Sequence, residues 1–286
     1  MNVIIDEHAG PCKGVKRALA LVEQELQRDS DIVALGPIIH NQMEMQRLEK
    51  MGLSTIDQES VEQGNLEPLQ NKRIFIRSHG ISKALQHQVD RVGAFVCDGT
   101  CPTVHAIQRH IQAFFKNGYQ IIIVGKEGHP EVVGLNGYCD KKATIIYSEE
   151  DVERISVAEK AFMVSQTTVA HDKFLAIQKK MLQLYPHVTV KDTVCRQVVN
   201  RHENMRNFAA SVDVVLLVGG KNSSNTRVLF NIAKQSNPQS YWIEQASDID
   251  VNWLEENGII GITGSASTPV WQLEKIKKFV ENVTFN

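Results

Sequence analysis

Three cysteines recur in equivalent surroundings along the 286-residue chain: Cys12 in GPCKGV, Cys101 in DGTCPTV and Cys195 in DTVCRQV. Each follows a short apolar run and precedes an amphipathic stretch. Counting 24 residues on from each reaches a glycine (Gly36, Gly125, Gly219), and four more reach His40, His129 and Ser223. Each third then offers a second polar loop: Arg77-Ser78-His79-Gly80, Ser165-Gln166-Thr167-Thr168, and Gly264-Ser265-Ala266-Ser267. A structural zinc site wants four closed ligands, usually with short C-x-x-C spacing, and the trio offers neither. An iron–sulfur cubane tolerates thiolates far apart in sequence. Held by only three, it keeps one iron open as a Lewis acid. Taken singly, each cysteine reads most plainly as a buried thiol; three in register favour a cluster. Cys97, inside Phe95-Val96-Cys97, reads as a core residue, and Cys139 has no counterpart in the other thirds.

The polar loops carry a second kind of chemistry. His40, His79 and His129, with Thr167, Thr168, Ser223, Ser224, Asn225, Ser265 and Ser267, supply small hydrogen-bond donors. Loops that open helices add unsatisfied backbone N–H groups and a positive dipole end, which suits a phosphate or diphosphate. Ser223, Ser224 and Asn225 also read as helix N-caps, and a capped loop end is still a donor surface. Gly-Gly-Lys-Asn-Ser-Ser-Asn has neither Walker A nor G-x-G-x-x-G spacing. Glu131 stands two residues after His129, across Pro130. It fits equally a proton relay to a bound substrate and a surface carboxylate near a helix start.

These residues need elements that bring them to one edge. Strand candidates are Val3–Ile5, Ile32–Leu35, Ile74–Ile76, Ala94–Cys97, Ile121–Val124, Thr144–Tyr147, Phe162–Val164, Val188–Val190, Val214–Val218, Tyr241–Ile243 and Ile259–Ile262. Between them lie amphipathic stretches such as Val15–Gln27, whose Val15, Ala18, Leu19, Val22 and Leu26 share a helical face. Such alternation predicts an α/β fold of βαβ units with parallel sheets. Ligands of open parallel sheets bind beyond the carboxyl ends of the strands. All three cysteines and all six polar loops follow strands, so sheets set about a pseudo-threefold axis would aim them at one cavity.

Composition limits the alternatives. With 31 Lys+Arg against 33 Asp+Glu, the chain lacks the basic excess of a general nucleic-acid binder. No apolar run approaches the roughly 18 residues of a membrane span. MNVIIDEHAGPCKG fits neither a signal nor a transit peptide, which points to the cytoplasm. Five widely spread cysteines then speak for metal binding or buried thiols, not a disulfide framework.

The motifs EHAGPCKGV, LGPIIHN, RSHG, DGTCP, GHPEV, SQTT, DTVC, GGKNSSNT and GSASTP occur in this order, and the likeness they carry runs from Val3 to about Phe279. In that ordered set the chain resembles the 4-hydroxy-3-methylbut-2-enyl diphosphate reductases. It departs from their pattern at Pro11, at Gly99 and in the run Arg196–Val199. The resemblance implies three α/β domains with small parallel sheets, related by pseudo-threefold symmetry about a central iron–sulfur cluster. Their bounds would be 13–100, 101–194 and 195–286, with the strand in 1–12 packing near the third. It implies one 4Fe–4S cluster held by Cys12, Cys101 and Cys195, with an open iron for the substrate hydroxyl. His40, His79, His129, Ser223, Ser224, Asn225 and Ser267 match diphosphate-binding positions. Thr167 matches a position near the hydroxyl, with Thr168 beside it, and Glu131 matches the proton donor. The electron donor implied is a reduced ferredoxin or flavodoxin.

Two rival readings use the same residues. A zinc hydrolase would employ His40, His79 and His129 with Glu131 as base, but leaves the registered cysteines unexplained. An iron–sulfur sensor would need no cavity rich in anion donors.

Overall fold

In the computed structural model, the residues described are 1–28, 31–92, 95–221, 223–254 and 256–284, the side chain of Ser224 excepted. Parallel pairing sets the whole arrangement. After β1 (Asn2–Ile5), a first sheet is built from β2 (Ile32–Leu35), β3 (Leu53–Ile56), β4 (Arg73–Ile76) and β5 (Val96–Asp98), in the order β3-β2-β4-β5. A second uses β6 (Gln120–Val124), β7 (Thr144–Ile146), β8 (Ala161–Ser165) and β9 (Thr189–Val190), in the order β7-β6-β8-β9. The third joins β10 (Val214–Val218), β11 (Ser240–Ile243) and β12 (Ile259–Gly264) to β1, in the order β11-β10-β12-β1. Every pairing is parallel. The three sheets therefore share one topology, and the chain's first strand supplies the fourth strand of the last sheet.

Parallel neighbours need crossovers, and helices provide most of them. In order they are α1 (Lys13–Arg28), α2 (Gln42–Lys50), α3 (Gln58–Glu62), α4 (Lys83–Arg91), α5 (Pro102–Lys116), α6 (Pro130–Asn136), α7 (Glu149–Arg154), α8 (His171–Leu184), α9 (Arg196–Ala210), α10 (Ser224–Ser236) and α11 (Val270–Glu281). Among the described residues, none of these is long and apolar enough to cross a membrane. Two compact units divide the chain. One comprises Met1–Lys16, Ile39–Lys50 and Asn200–Asn286 and holds the third sheet. The other comprises Arg17–Ile38 and Met51–Val199 and holds the first two.

The central strands are mostly apolar because helices cover both faces. All five residues of β8 and of β10 are buried. Leu53-Ser54-Thr55-Ile56 escapes the sequence reading because it forms an edge strand whose Ser54 and Thr55 face water. Ala94 lies outside the described residues, and the strand expected there runs Val96–Asp98. Cys97 is not a core residue: β5 is an edge strand, and the thiol is half-buried. Cys139 is the buried one, its thiol against the Asn136 carbonyl at 3.2 Å and pushed up to about 11 by burial.

The glycine register has a steric cause. Gly36, Gly125 and Gly219 each follow the first strand of a sheet, where another side chain crosses the backbone. A Cβ on Gly36 would stand 2.8 Å from Arg77 Cζ. On Gly125 it would meet Val132 Cγ2 at 2.7 Å, and on Gly219 Thr226 Cγ2 at 2.8 Å. At Gly99 a Cβ would lie 2.6 Å from the Ile76 carbonyl oxygen, so the tight exit of β5 admits only glycine with Phe75 packed as it is. Gly125→Ala should cost about 1–3 kcal/mol by overpacking, read as a lower midpoint of urea unfolding. An unchanged midpoint would contradict the close approach.

Candidate active site

Each registered cysteine sits at the mouth of a helix. Cys12, Cys101 and Cys195 directly precede α1, α5 and α9. Their carbonyls accept the first helical bonds, from Lys16 N at 2.8 Å, His105 N at 3.0 Å and Val199 N at 3.1 Å. A thiol at a helix N-terminus meets the positive dipole end. All three are partly exposed and none is in a disulfide.

An aspartate prepares each of these turns, a repeat that the sequence reading missed. Asp6, Asp98 and Asp192 each accept a bond through Oδ1 from the backbone two residues on: His8 N at 2.9 Å, Thr100 N at 2.8 Å and Val194 N at 3.0 Å. Their Oδ2 atoms meet Thr263 Oγ1 at 2.8 Å, His105 Nε2 at 2.9 Å and His171 Nε2 at 3.0 Å. Asp98 and Asp192 stand three residues before their cysteines, whereas Asp6 stands six before Cys12. That offset hides the repeat from a search keyed to cysteine.

In the unit holding the first two sheets, the structure brings His79, His129, Glu131 and Thr167 together with Cys101 and Cys195. The His79 and His129 rings pack edge to face, with centroids 5.5 Å apart. His129 is the N-cap of α6, and its Nδ1 accepts from Glu131 N at 3.1 Å. The backbone N–H must donate, so Nδ1 carries no proton, and a neutral His129 presents Nε2–H. Glu131 is not a surface residue. It is 1% exposed and accepts from Thr167 N at 2.6 Å and Thr167 Oγ1 at 2.8 Å. Burial raises its carboxyl above the ordinary range, against the opposing pull of the two Thr167 bonds.

Main-chain bonds tie the thiol turns to these loops. Cys195 N donates to the Thr167 carbonyl at 2.9 Å, and Cys101 N to the Ser78 carbonyl at 3.0 Å. Thr168 is exposed, and its hydroxyl accepts from Gln166 Nε2 at 2.6 Å. Among the described residues of this unit, no three of His, Cys, Asp and Glu are placed to share one metal ion.

The other unit holds Cys12, His40, Ser223, Asn225 and Ser267. Ser223 caps α10, with Oγ accepting from Thr226 N at 3.2 Å. Asn225 and His40 are exposed. Ser267 is buried, its hydroxyl 2.8 Å from that of Ser265. Ser224 was expected here too, and its side chain lies outside the described residues. Arg201, also missed, donates through Nη2 to the carbonyls of Gly10 at 2.9 Å and Gly264 at 2.6 Å. It thereby staples the Cys12 turn to the exit of β12. Its only signal was a lone arginine six residues past Cys195, which nothing local distinguishes from a surface cation.

Residues 3–281 match the LytB protein family. The chain belongs to that family. It is 38% identical to the 4-hydroxy-3-methylbut-2-enyl diphosphate reductase of Caldanaerobacter subterraneus subsp. tengcongensis, over 99% of this chain and 98% of that protein. To the Aquifex aeolicus protein of the same name it is 35% identical, over 99% and 97%. The fold is similar to a solved (E)-4-hydroxy-3-methyl-but-2-enyl diphosphate reductase, described as the terminal enzyme of the non-mevalonate pathway. There the TM-score is 0.82 at 35% identity, covering 99% of each chain. It is similar also to the E-1-hydroxy-2-methyl-but-2-enyl-4-diphosphate reductase of Plasmodium falciparum, with TM-score 0.82 and 27% identity over 100% of this chain and 89% of that one.

The buried carboxyl of this LytB-family chain gives a signed prediction. Because folding raises the Glu131 value, its protonated form stabilises the fold fully below the ordinary carboxyl range. That contribution is lost as pH rises through the raised value. Glu131→Gln keeps the shape and cannot ionise, so its Tm relative to the parent should climb between acid and neutral pH. A pH-independent offset would contradict the burial.

Proposed function

We propose that the chain reduces (E)-4-hydroxy-3-methylbut-2-enyl diphosphate to isopentenyl and dimethylallyl diphosphates. The hydroxyl leaves as water, at the expense of two electrons and two protons. The observation that carries this reading is the contiguous set Glu131–Thr167–Cys195: a buried carboxyl holding a threonine hydroxyl, whose own carbonyl holds the thiol turn. A protonatable group, a hydroxyl partner and a candidate metal ligand are thereby fixed on one loop system.

The donor set fits an iron–sulfur group. Three thiols, each at a helix mouth and outside any disulfide, are what such a cluster requires. Cys12, Cys101 and Cys195 would hold a 4Fe–4S cluster, which when bound supplies electrons and a Lewis-acidic iron for the hydroxyl. On this reading the domains are 13–100, 101–194 and 195–286, divided at the cysteines, with 1–12 joined to the last. His40, His79, His129, Ser223, Ser224, Asn225 and Ser267 bind the diphosphate oxygens. His129 does so from the N-cap of α6. Thr167, with Thr168 beside it, orients the hydroxyl end, and Glu131 holds the proton at its carboxyl. Reduced ferredoxin or flavodoxin serves as electron donor.

Anaerobic turnover with a chemical reductant tests the activity itself, and product formation from the diphosphate is the expected outcome. Changing any of Cys12, Cys101 or Cys195 to Ser should strip iron and sulfide and abolish turnover, while Cys97→Ser and Cys139→Ser retain the cluster. A Cys97 variant that lost it while a Cys12 variant kept it would reverse the assignment. Ser223→Ala should raise KM through loss of a bond of about 1.5–3 kcal/mol to a charged group. Equal affinity for the dephosphorylated alcohol would exclude the anion-binding role.

A further inference from the structure

The loops assigned to the diphosphate in the unit holding the third sheet meet one buried carboxamide. Gln272, 3% exposed, lies in the first turn of α11, directly after the Ser265–Thr268 loop. Its Oε1 accepts from Asn41 Nδ2 at 3.0 Å, and its Nε2 donates to the Glu244 carbonyl at 2.6 Å. Asn41 follows His40 in the chain and caps α2, accepting from Glu44 N at 3.0 Å. On the other side, Glu244 Oε1 accepts from Lys221 N at 2.8 Å, inside the loop that leads to Ser223. The two loops are close: a Cβ on Gly220 would lie 3.9 Å from the His40 carbonyl oxygen.

Packing alone gives no reason for an amide here. The other buried positions of α11 are Leu273, Ile276 and Val280, all apolar. A primary carboxamide both accepts and donates at one end of a short side chain. An aliphatic residue does neither, and a carboxylate only accepts. Without Gln272, the Asn41 amide and the Glu244 carbonyl lose buried partners.

We propose that Gln272 is a positioning residue for diphosphate binding, locking the His40 turn to the Lys221–Ser223 loop so that donors distant in sequence address one anion. The proposal rests on the functional reading above and extends it to a residue outside the motifs. The test uses anaerobically purified full-length holoenzyme. In Gln272→Leu, KM for the substrate and Kd for inorganic diphosphate, measured by calorimetry, should both rise about tenfold or more. The value of kcat should stay within about twofold, since uniform binding is what is lost, with iron and sulfide contents unchanged. Gln272→Glu, nearly isosteric but lacking the donor N–H, should shift both constants in the same direction and keeps the test open should the leucine variant not fold. A folded variant with unchanged KM and Kd, even at lower Tm, overturns the proposal and reduces Gln272 to packing. If the wild-type holoenzyme fails to reduce the diphosphate, the functional reading fails and takes this inference with it. An active wild type beside unaffected variants sinks the inference alone.

Discussion

A hydrogen bond from a cysteine N–H to the carbonyl beyond the neighbouring strand is the constraint on which the site depends. It occurs twice in one unit, from Cys101 to Ser78 and from Cys195 to Thr167. Parallel pairing makes it possible. The third and fourth strands of each sheet are adjacent and leave the sheet at the same edge, so their exits run side by side. The aspartate turn then reverses the chain, and the bond closes between the two exits. A thiol held this way has one address, set by backbone. The second sheet shows how much the device carries, because β9 has only two residues. Its exit is secured by Ser165 N donating to Thr193 Oγ1 at 2.7 Å and by the His171–Asp192 pair. Side chains there replace the ladder that a longer strand would provide.

Much of this was legible in the sequence, because one backbone problem is solved three times. A strand exit crossed by a side chain needs glycine, and a helix mouth facing an anion needs short polar residues. Gly36, Gly125 and Gly219, with His40, His129 and Ser223, recur at fixed spacing and stand out by period, and a second polar loop follows in each third. What escaped occurs once, depends on position within a sheet or, like the aspartates of the thiol turns, repeats at an unequal offset. β3 hid behind Ser54 and Thr55, whose exposure is a property of the sheet edge. Cys97 looked central because an apolar run does not say whether its strand is flanked on both sides. Arg201 and Gln272 act across long separations, and their polar atoms carry no local signature. Glu131 reads equally as a surface or a site carboxylate in the sequence, and its burial against Thr167 excludes the surface.

That burial sets two effects against each other. Removing a carboxylate from water favours its protonated form, while the two donors from Thr167 favour the ionised one. Desolvation prevails. The structure thus places a carboxyl with a raised titration within hydrogen-bond reach of a hydroxyl, which on the proposed reading is where the proton is held.

The pair then behaves as one unit. With Glu131 ionised, both of its oxygens are claimed by Thr167, and the hydroxyl hydrogen points at the carboxylate. Protonating Oε2 turns that oxygen into a donor, so Thr167 Oγ1 must accept and swing its own hydrogen elsewhere. The backbone N–H of Thr167 cannot turn, and it keeps Oε1 as the acceptor in either state. A proton on Oε2 is thereby coupled to the direction in which the Thr167 hydroxyl donates. The carbonyl of this same threonine holds Cys195 N, so the hydroxyl swings on a backbone that is already fixed. On the proposed reading, the Oε2 proton passes to Thr167 Oγ1 as that hydroxyl gives up its own hydrogen to the substrate, with no movement of the loop that positions the thiol.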